Sequence, residues 1–204
     1  SGKTTITRLL FRLYEVTDGS VCLGENGRFP NIQNLPLSHL RQKVGMVTQE
    51  VQLFRASVRN NLTFFNPTIT DERILAVLQH LGLGDWFASL PHGLDTELQS
   101  EGASLSAGEA QLLAFTRVFL QDPGLVILDE ASSRLDPATE QLIERAVDKL
   151  LCNRTGIIVA HRLTTVHRAD KIMVLGNGRS LEHDTYDGLA NNPDRDPPRT
   201  GREA

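Results

Sequence analysis

The chain has 204 residues, 40% of them hydrophobic and 23% charged, enough to bury the core of one good-sized domain or two small ones. A formal net charge of −4 without a long basic run argues against nucleic acid as a main partner. No apolar stretch approaches the ~20 residues that cross a bilayer, and no signal peptide precedes the first element. Cys22 and Cys152 match no metal spacing and read as two buried or half-buried reduced thiols of a cytosolic protein.

In chain order, Ile6 to Tyr14 has apolar positions that suit a helix of about three turns. Asp18-Gly19-Ser20 is a turn and Val21-Cys22-Leu23 a short strand. Val44 to Val47 reads as a buried strand leading to Gln49. A helix starts at Thr70-Asp71-Glu72 and runs to about Leu81, and a shorter one covers Asp85 to Pro91. Ser106 to Gln121 is a strong helix stopped by Asp122-Pro123-Gly124. Leu125 to Leu128 is a continuous apolar strand, the pattern of a parallel sheet covered on both faces. Asp136-Pro137 opens a helix that buries Leu142, Ile143, Ala146, Val147, Leu150 and Leu151. Ile157 to Ala160 is a further buried strand, and Gly176-Asn177-Gly178 joins a hairpin.

Helices between buried strands give an α/β fold with a mostly parallel sheet. The stretch from Pro67 to Leu105 is helix-rich and free of strand signals, so a helical subdomain inserted over approximately residues 67–122 is expected within a domain covering 1–190. Residues 191–204 combine charge and proline without an apolar period and read as a disordered tail.

Three segments carry candidate chemistry. Ser1-Gly2-Lys3-Thr4 fits the last four positions of a phosphate-binding loop, whose backbone N–H groups hold anions at a helix N-terminus. The chain opens inside that loop with no strand before it, so it reads as a fragment. The strand ending in Asp129-Glu130 delivers two carboxylates to the carboxyl edge of a parallel sheet, where ligands bind. Leu105-Ser106-Ala107-Gly108-Glu109 contains a capping box that explains Ser106 and Glu109 as helix-start signals. It leaves Gly108 unexplained, since glycine weakens a first turn unless something large approaches the backbone.

With these segments in this order, the sequence resembles the nucleotide-binding domain of an ABC (ATP-binding cassette) transporter, from Ser1 to about Leu189. Leu105 to Glu109 is similar to the family's signature, Gln49 to its lone glutamine, Ser132 to Asp136 to the segment joining two subunits, and Ile158 to Arg162 to the strand presenting a histidine. Val51 to Leu62 and Leu90 to Leu98 are similar to exporter-type members, as is Glu109-Ala110-Gln111-Leu112 in place of a Gln-Gln-Arg-like run. The resemblance implies a P-loop NTPase that binds ATP with Ser1, Gly2, Lys3, Thr4 and Thr5, and Mg²⁺ with Thr4, Gln49 and Asp129. Glu130 would be the general base and His161 and Gln49 would complete the catalytic set. Ser106, Ala107, Gly108 and Glu109 would face the nucleotide of an opposing ATPase domain in a homo- or heterodimer, and Asp136 would couple the subunits. It further implies a transmembrane domain fused upstream, a place on the cytoplasmic face of a cell membrane, and no nucleic-acid partner.

Ala107 and Glu109 depart from the family's usual glycine and glutamine, and the upstream aromatic that stacks on adenine has no counterpart here. A DNA-maintenance ATPase of the same family would carry a coiled coil or zinc insertion before the signature, and a non-hydrolysing regulator would lack Glu130 or His161. Neither condition holds. An unrelated kinase or GTPase has no place for Ser106 to Glu109.

Overall fold

The computed structural model describes residues 2–24, 27–48, 50–98, 105–129, 137–160 and 169–190. The described residues divide into two compact units, one within Thr4–Val159 and one within Ser1–Lys3 and Ala160–Ala204.

The larger unit is organised by β4 (Leu125–Asp129), which pairs in parallel with β1 (Val44–Val47) on one side and β5 (Thr155–Val159) on the other. Successive side chains of a strand point to opposite faces, so an all-apolar strand needs cover on both. Val126 and Leu128 join a core built with α3 (Val58–Thr63), α4 (Asp71–His80), α6 (Ala107–Gln121) and α7 (Pro137–Leu151). Leu125 and Ile127 join a smaller core with Ile32, Leu40 and Val44, against which Leu10 and Phe11 pack. The remaining helices are α1 (Lys3–Leu10), α2 (Leu37–Lys43) and α5 (Gly84–Ala88).

Two helix starts stand where the sequence puts them. Thr70 caps α4, accepting from the Arg73 N–H, and Ser106 caps α6. Along α7, Ile143, Ala146 and Leu150 are buried, with Leu142, Val147 and Leu151 partly so.

Several expectations are corrected. The first helix stops at Leu10 rather than reaching Tyr14. Arg12 adopts the left-handed conformation at φ 54°, the Leu13 N–H reaches the Arg8 carbonyl and the Arg12 N–H the Leu9 carbonyl, a Schellman ending. The conformation is unusual for a side chain with a Cβ, and the Arg12 guanidinium is anchored on the Ile32 and Leu35 carbonyls at 3.1 and 2.8 Å. Val21 to Leu23 forms only the single bridge Cys22 to Asn31. The middle of the chain does contain a strand: β3 (Glu97–Leu98) pairs antiparallel with β2 (Ala56–Ser57). Both cysteines are exposed, free thiols rather than buried ones.

One buried side chain fixes the segment between β1 and α3. Asn61 is fully buried. Its amide donates to the Phe54, Ala56 and Ser57 carbonyls and its oxygen accepts from the Phe54 N–H at 2.8 Å. Arg117 of α6 adds bonds to the Asn61 and Gln52 carbonyls at 2.7 and 2.9 Å and stacks over Phe64. Burial pushes the Arg117 guanidinium down to about 10, so it stays charged at neutral pH. Asn61→Ala strands several buried polar groups at once, and we expect it to cost about 3 kcal/mol in chemical denaturation. An unchanged midpoint would contradict this role.

The smaller unit contains an antiparallel hairpin of β6 (Ile172–Gly176) and β7 (Arg179–Asp184), followed by α8 (Tyr186–Ala190). Gly176 belongs to the strand. The turn is the two-residue Asn177-Gly178, with φ of 49° and 74°, the pair of left-handed residues that a type I′ turn requires.

Candidate functional site

Because β1 and β4 run parallel with Val47 opposite Leu128, their carboxyl ends bring Thr48 and Asp129 to one edge of the sheet. Thr4, Thr7 and Arg8 of α1 meet this edge. Together with Met46, Thr48, Glu50 and Asp129 they line a cavity of about 300 Å³. Thr7 is buried and its hydroxyl donates to the Thr4 carbonyl at 2.9 Å, so it holds the helix turn while Thr4 stays exposed.

The start of α1 has an electrostatic signature. Its first turn holds no acidic residue, and its first residue is Lys3. A cation there opposes the helix dipole, whose positive end lies at the N-terminus. An anion bound at that end satisfies both the exposed N–H groups and the lysine. Gly2, just before the helix, has φ 93°, a conformation that an L side chain rarely adopts.

The signature-like segment forms the capping box expected from its sequence. The Ser106 hydroxyl accepts from the Glu109 N–H at 3.2 Å, and the Glu109 carboxylate accepts from the Ser106 N–H at 2.7 Å. Ser106 and Ala107 are exposed at the helix tip. Gly108 is buried, and its reason is internal. A Cβ built on it would sit 2.1 Å from Cγ2 of Thr139, in the first turn of α7. The close packing of α6 on α7 thus gives the glycine an internal reason, beside the approaching molecule that the sequence reading offered for it.

Of the sequence-derived site residues, the structure brings Thr4 and Asp129 onto one cavity. Gly2, Lys3 and Thr5 lie at or beside the start of α1, and Ser106, Ala107, Gly108 and Glu109 at the start of α6. Ser1, Gln49, Glu130, Asp136 and His161 lie outside the described residues, as does the 191–204 segment. Sequence reasoning missed Thr7, Arg8 and Glu50 as cavity residues and Thr139 as the partner of Gly108. It also missed the buried Gln111, whose amide donates to the Thr48 carbonyl at 3.3 Å. None of these contacts has a local sequence signal, since each joins elements far apart in the chain.

Residues 1–133 match the family model described as ABC transporter. The chain is 43% identical over 193 residues to the human protein named "Iron-sulfur clusters transporter ABCB7, mitochondrial", covering 95% of this chain and 25% of that protein. It is 40% identical over 185 residues to a Staphylococcus aureus ATP-binding/permease protein assigned to multidrug export, covering 91% of this chain and 31% of that one. Among solved structures, a bacterial Atm1-family ABC exporter with ATP bound superimposes with a TM-score of 0.80 at 33% identity, covering 92% of this chain and 32% of the exporter. The chain thus spans between a quarter and a third of the length of these relatives.

Proposed function

The chain belongs to the ABC transporter family, and on that premise we propose that it is the ATP-hydrolysing motor domain of an exporter, coupling ATP-driven pairing of two such domains to transport across a membrane. The observation that carries the reading is the cavity shared by Thr4, at the start of an anion-favouring helix, and Asp129, at the carboxyl edge of the parallel sheet.

In this reading the backbone around Gly2 to Thr5 cradles the phosphates and Lys3 neutralises the outer ones. Thr4 and Asp129, with Gln49, would hold Mg²⁺, whose charge would offset that of the phosphates. The donor set suits this ion: Mg²⁺ is held by one or two carboxylates plus the substrate's own phosphates rather than by a full protein cage. Phosphoryl transfer needs mainly positioning and charge stabilisation. Glu130, next to Asp129 in the chain, takes a proton from the water that attacks the terminal phosphorus while the bond from that phosphorus to the bridging oxygen breaks and ADP leaves, and His161 holds the terminal phosphate and the water.

The first turn of α6 supplies the second half of the composite site. Ser106 and Ala107 are exposed at a helix N-terminus, ready to face the nucleotide of an opposing domain. The opposing domain is a second copy or a homologous chain, with Asp136 at the junction. Membrane passage falls to a transmembrane domain fused upstream, a reading supported by the relative named as an ATP-binding/permease protein, of which this chain covers 31%. The domain works on the cytoplasmic face, without nucleic acid.

Nucleotide titration of the complete gene product tests the binding half. Lys3→Ala is expected to weaken ATP binding at least about tenfold, since one charge-assisted contact is worth ~1.5–3 kcal/mol. Asp129→Asn should lose most of the gain in affinity that Mg²⁺ confers while keeping Mg²⁺-free binding. Wild-type affinity in Lys3→Ala would sink the assignment.

A further inference from the structure

The two nucleotide-facing elements of this chain are tied together inside the protein. Gln111 lies one turn into α6, two residues beyond Glu109, and is only 5% exposed. Its side-chain amide donates to the Thr48 carbonyl at 3.3 Å, across 63 residues of sequence. Thr48 is itself a wall of the cavity, and its hydroxyl donates to the carbonyl of Glu50, another wall, at 2.8 Å. A chain of two hydrogen bonds therefore runs from the helix whose tip carries Ser106 to the wall beside Asp129.

We propose that Gln111 is a positioning residue of the ATPase: by holding the Thr48 carbonyl it sets Thr48, and through it Glu50, in the cavity wall and ties them to the helix that serves the opposing nucleotide. The inference rests on the motor reading above and deepens it. In a closed pair, the wall at Thr48 belongs to one nucleotide and the tip of α6 to the other, so Gln111 is the internal link by which occupancy of one site is registered at the other. A glutamine suits this role because it is long enough to reach the next element and donates without charge. Its burial protects the bond from competition with water.

Two variants separate positioning from mere packing. Gln111→Met keeps the shape and removes the donor. Gln111→Glu replaces the donor with a carboxylate facing a carbonyl oxygen. That arrangement and its burial raise the carboxyl pKa, and once protonated its O–H can donate to Thr48 again. In the complete gene product, Gln111→Met should lower kcat for ATP about tenfold with KM changed less than about twofold, the loss of one buried hydrogen bond at a catalytic wall. The activity of Gln111→Glu relative to wild type should climb several-fold as pH falls from about 8 to about 6, while that of Gln111→Met stays flat. Amide exchange of the backbone around Thr48 and Glu50, measured without nucleotide, should quicken in Gln111→Met. Wild-type kcat in both variants, or identical pH behaviour of the two with unchanged exchange at Thr48–Glu50, would overturn the proposal. If the wild-type protein does not hydrolyse ATP, the motor reading fails, and the exchange measurement still decides whether Gln111 holds this wall.

Discussion

Glu130→Gln is expected to reduce ATP turnover by at least about a hundredfold, the usual contribution of a positioned general base being ~10²–10⁴. The same variant should bind Mg²⁺-ATP with near-native affinity, because the residues proposed to hold phosphate and metal, Lys3, Thr4 and Asp129, are untouched. It should also accumulate an ATP-held pair of domains, since closure is proposed to be driven by binding and undone by hydrolysis. Phosphate release and particle mass in ATP report the two effects separately. Loss of turnover together with loss of ATP binding would instead make Glu130 part of the binding site. Retained turnover would remove it from the mechanism and leave the base to another residue.

A second large effect is expected at Gly108, and its sign is set by a neighbour. A methyl group there meets Cγ2 of Thr139 at 2.1 Å and its Cβ and Oγ1 at 3.2 and 3.3 Å. Gly108→Ala should therefore destabilise the protein by about 1–3 kcal/mol, the range for overpacking a close contact. Thr139→Ala deletes the Cγ2 and Oγ1 atoms, the worst contact among them, and leaves the Cβ at 3.2 Å. In that background Gly108→Ala should turn neutral or slightly stabilising, because alanine is worth ~0.5–1 kcal/mol over glycine inside a helix. A thermodynamic cycle of the four proteins measures the coupling directly. Destabilisation that persists unchanged in Thr139→Ala would mean that the α6–α7 contact does not dictate the glycine. Turnover in the stability-rescued double variant asks a different question: activity lost there would assign Gly108 a second role toward the opposing nucleotide.

The elements legible in the sequence are those coded locally. The apolar run of β4, the Thr70 and Ser106 caps and the apolar stripe of α7 each have a short-range cause, and each stands in the structure close to its expected place. Asp129 and Thr4 meet on one cavity because parallel strands and the helix packed on them have a fixed polarity. What escapes a reading of the sequence is set by contacts between distant segments. The first helix ends early because Arg12 finds carbonyl partners twenty and more residues away. The pair of two-residue strands at Ala56–Ser57 and Glu97–Leu98 is too short to show a period. Gly108 reads as room for a ligand because Thr139, far along the chain on the next helix, has no visible relation to it in sequence. Helix α2 (Leu37–Lys43) follows a proline and lacks a side-chain cap, so it offers no start signal beyond its own apolar residues. Asn61, Gln111 and Arg117 look like ordinary polar residues of helices, and only the fold shows that each grips a backbone segment elsewhere.

The most direct test of the motor assignment is Mg²⁺-ATP turnover by the complete gene product, with and without EDTA, alongside particle mass in ATP. Steady, Mg²⁺-dependent hydrolysis with nucleotide-dependent pairing is the result the assignment requires. A well-folded protein that neither binds nor hydrolyses ATP would contradict it.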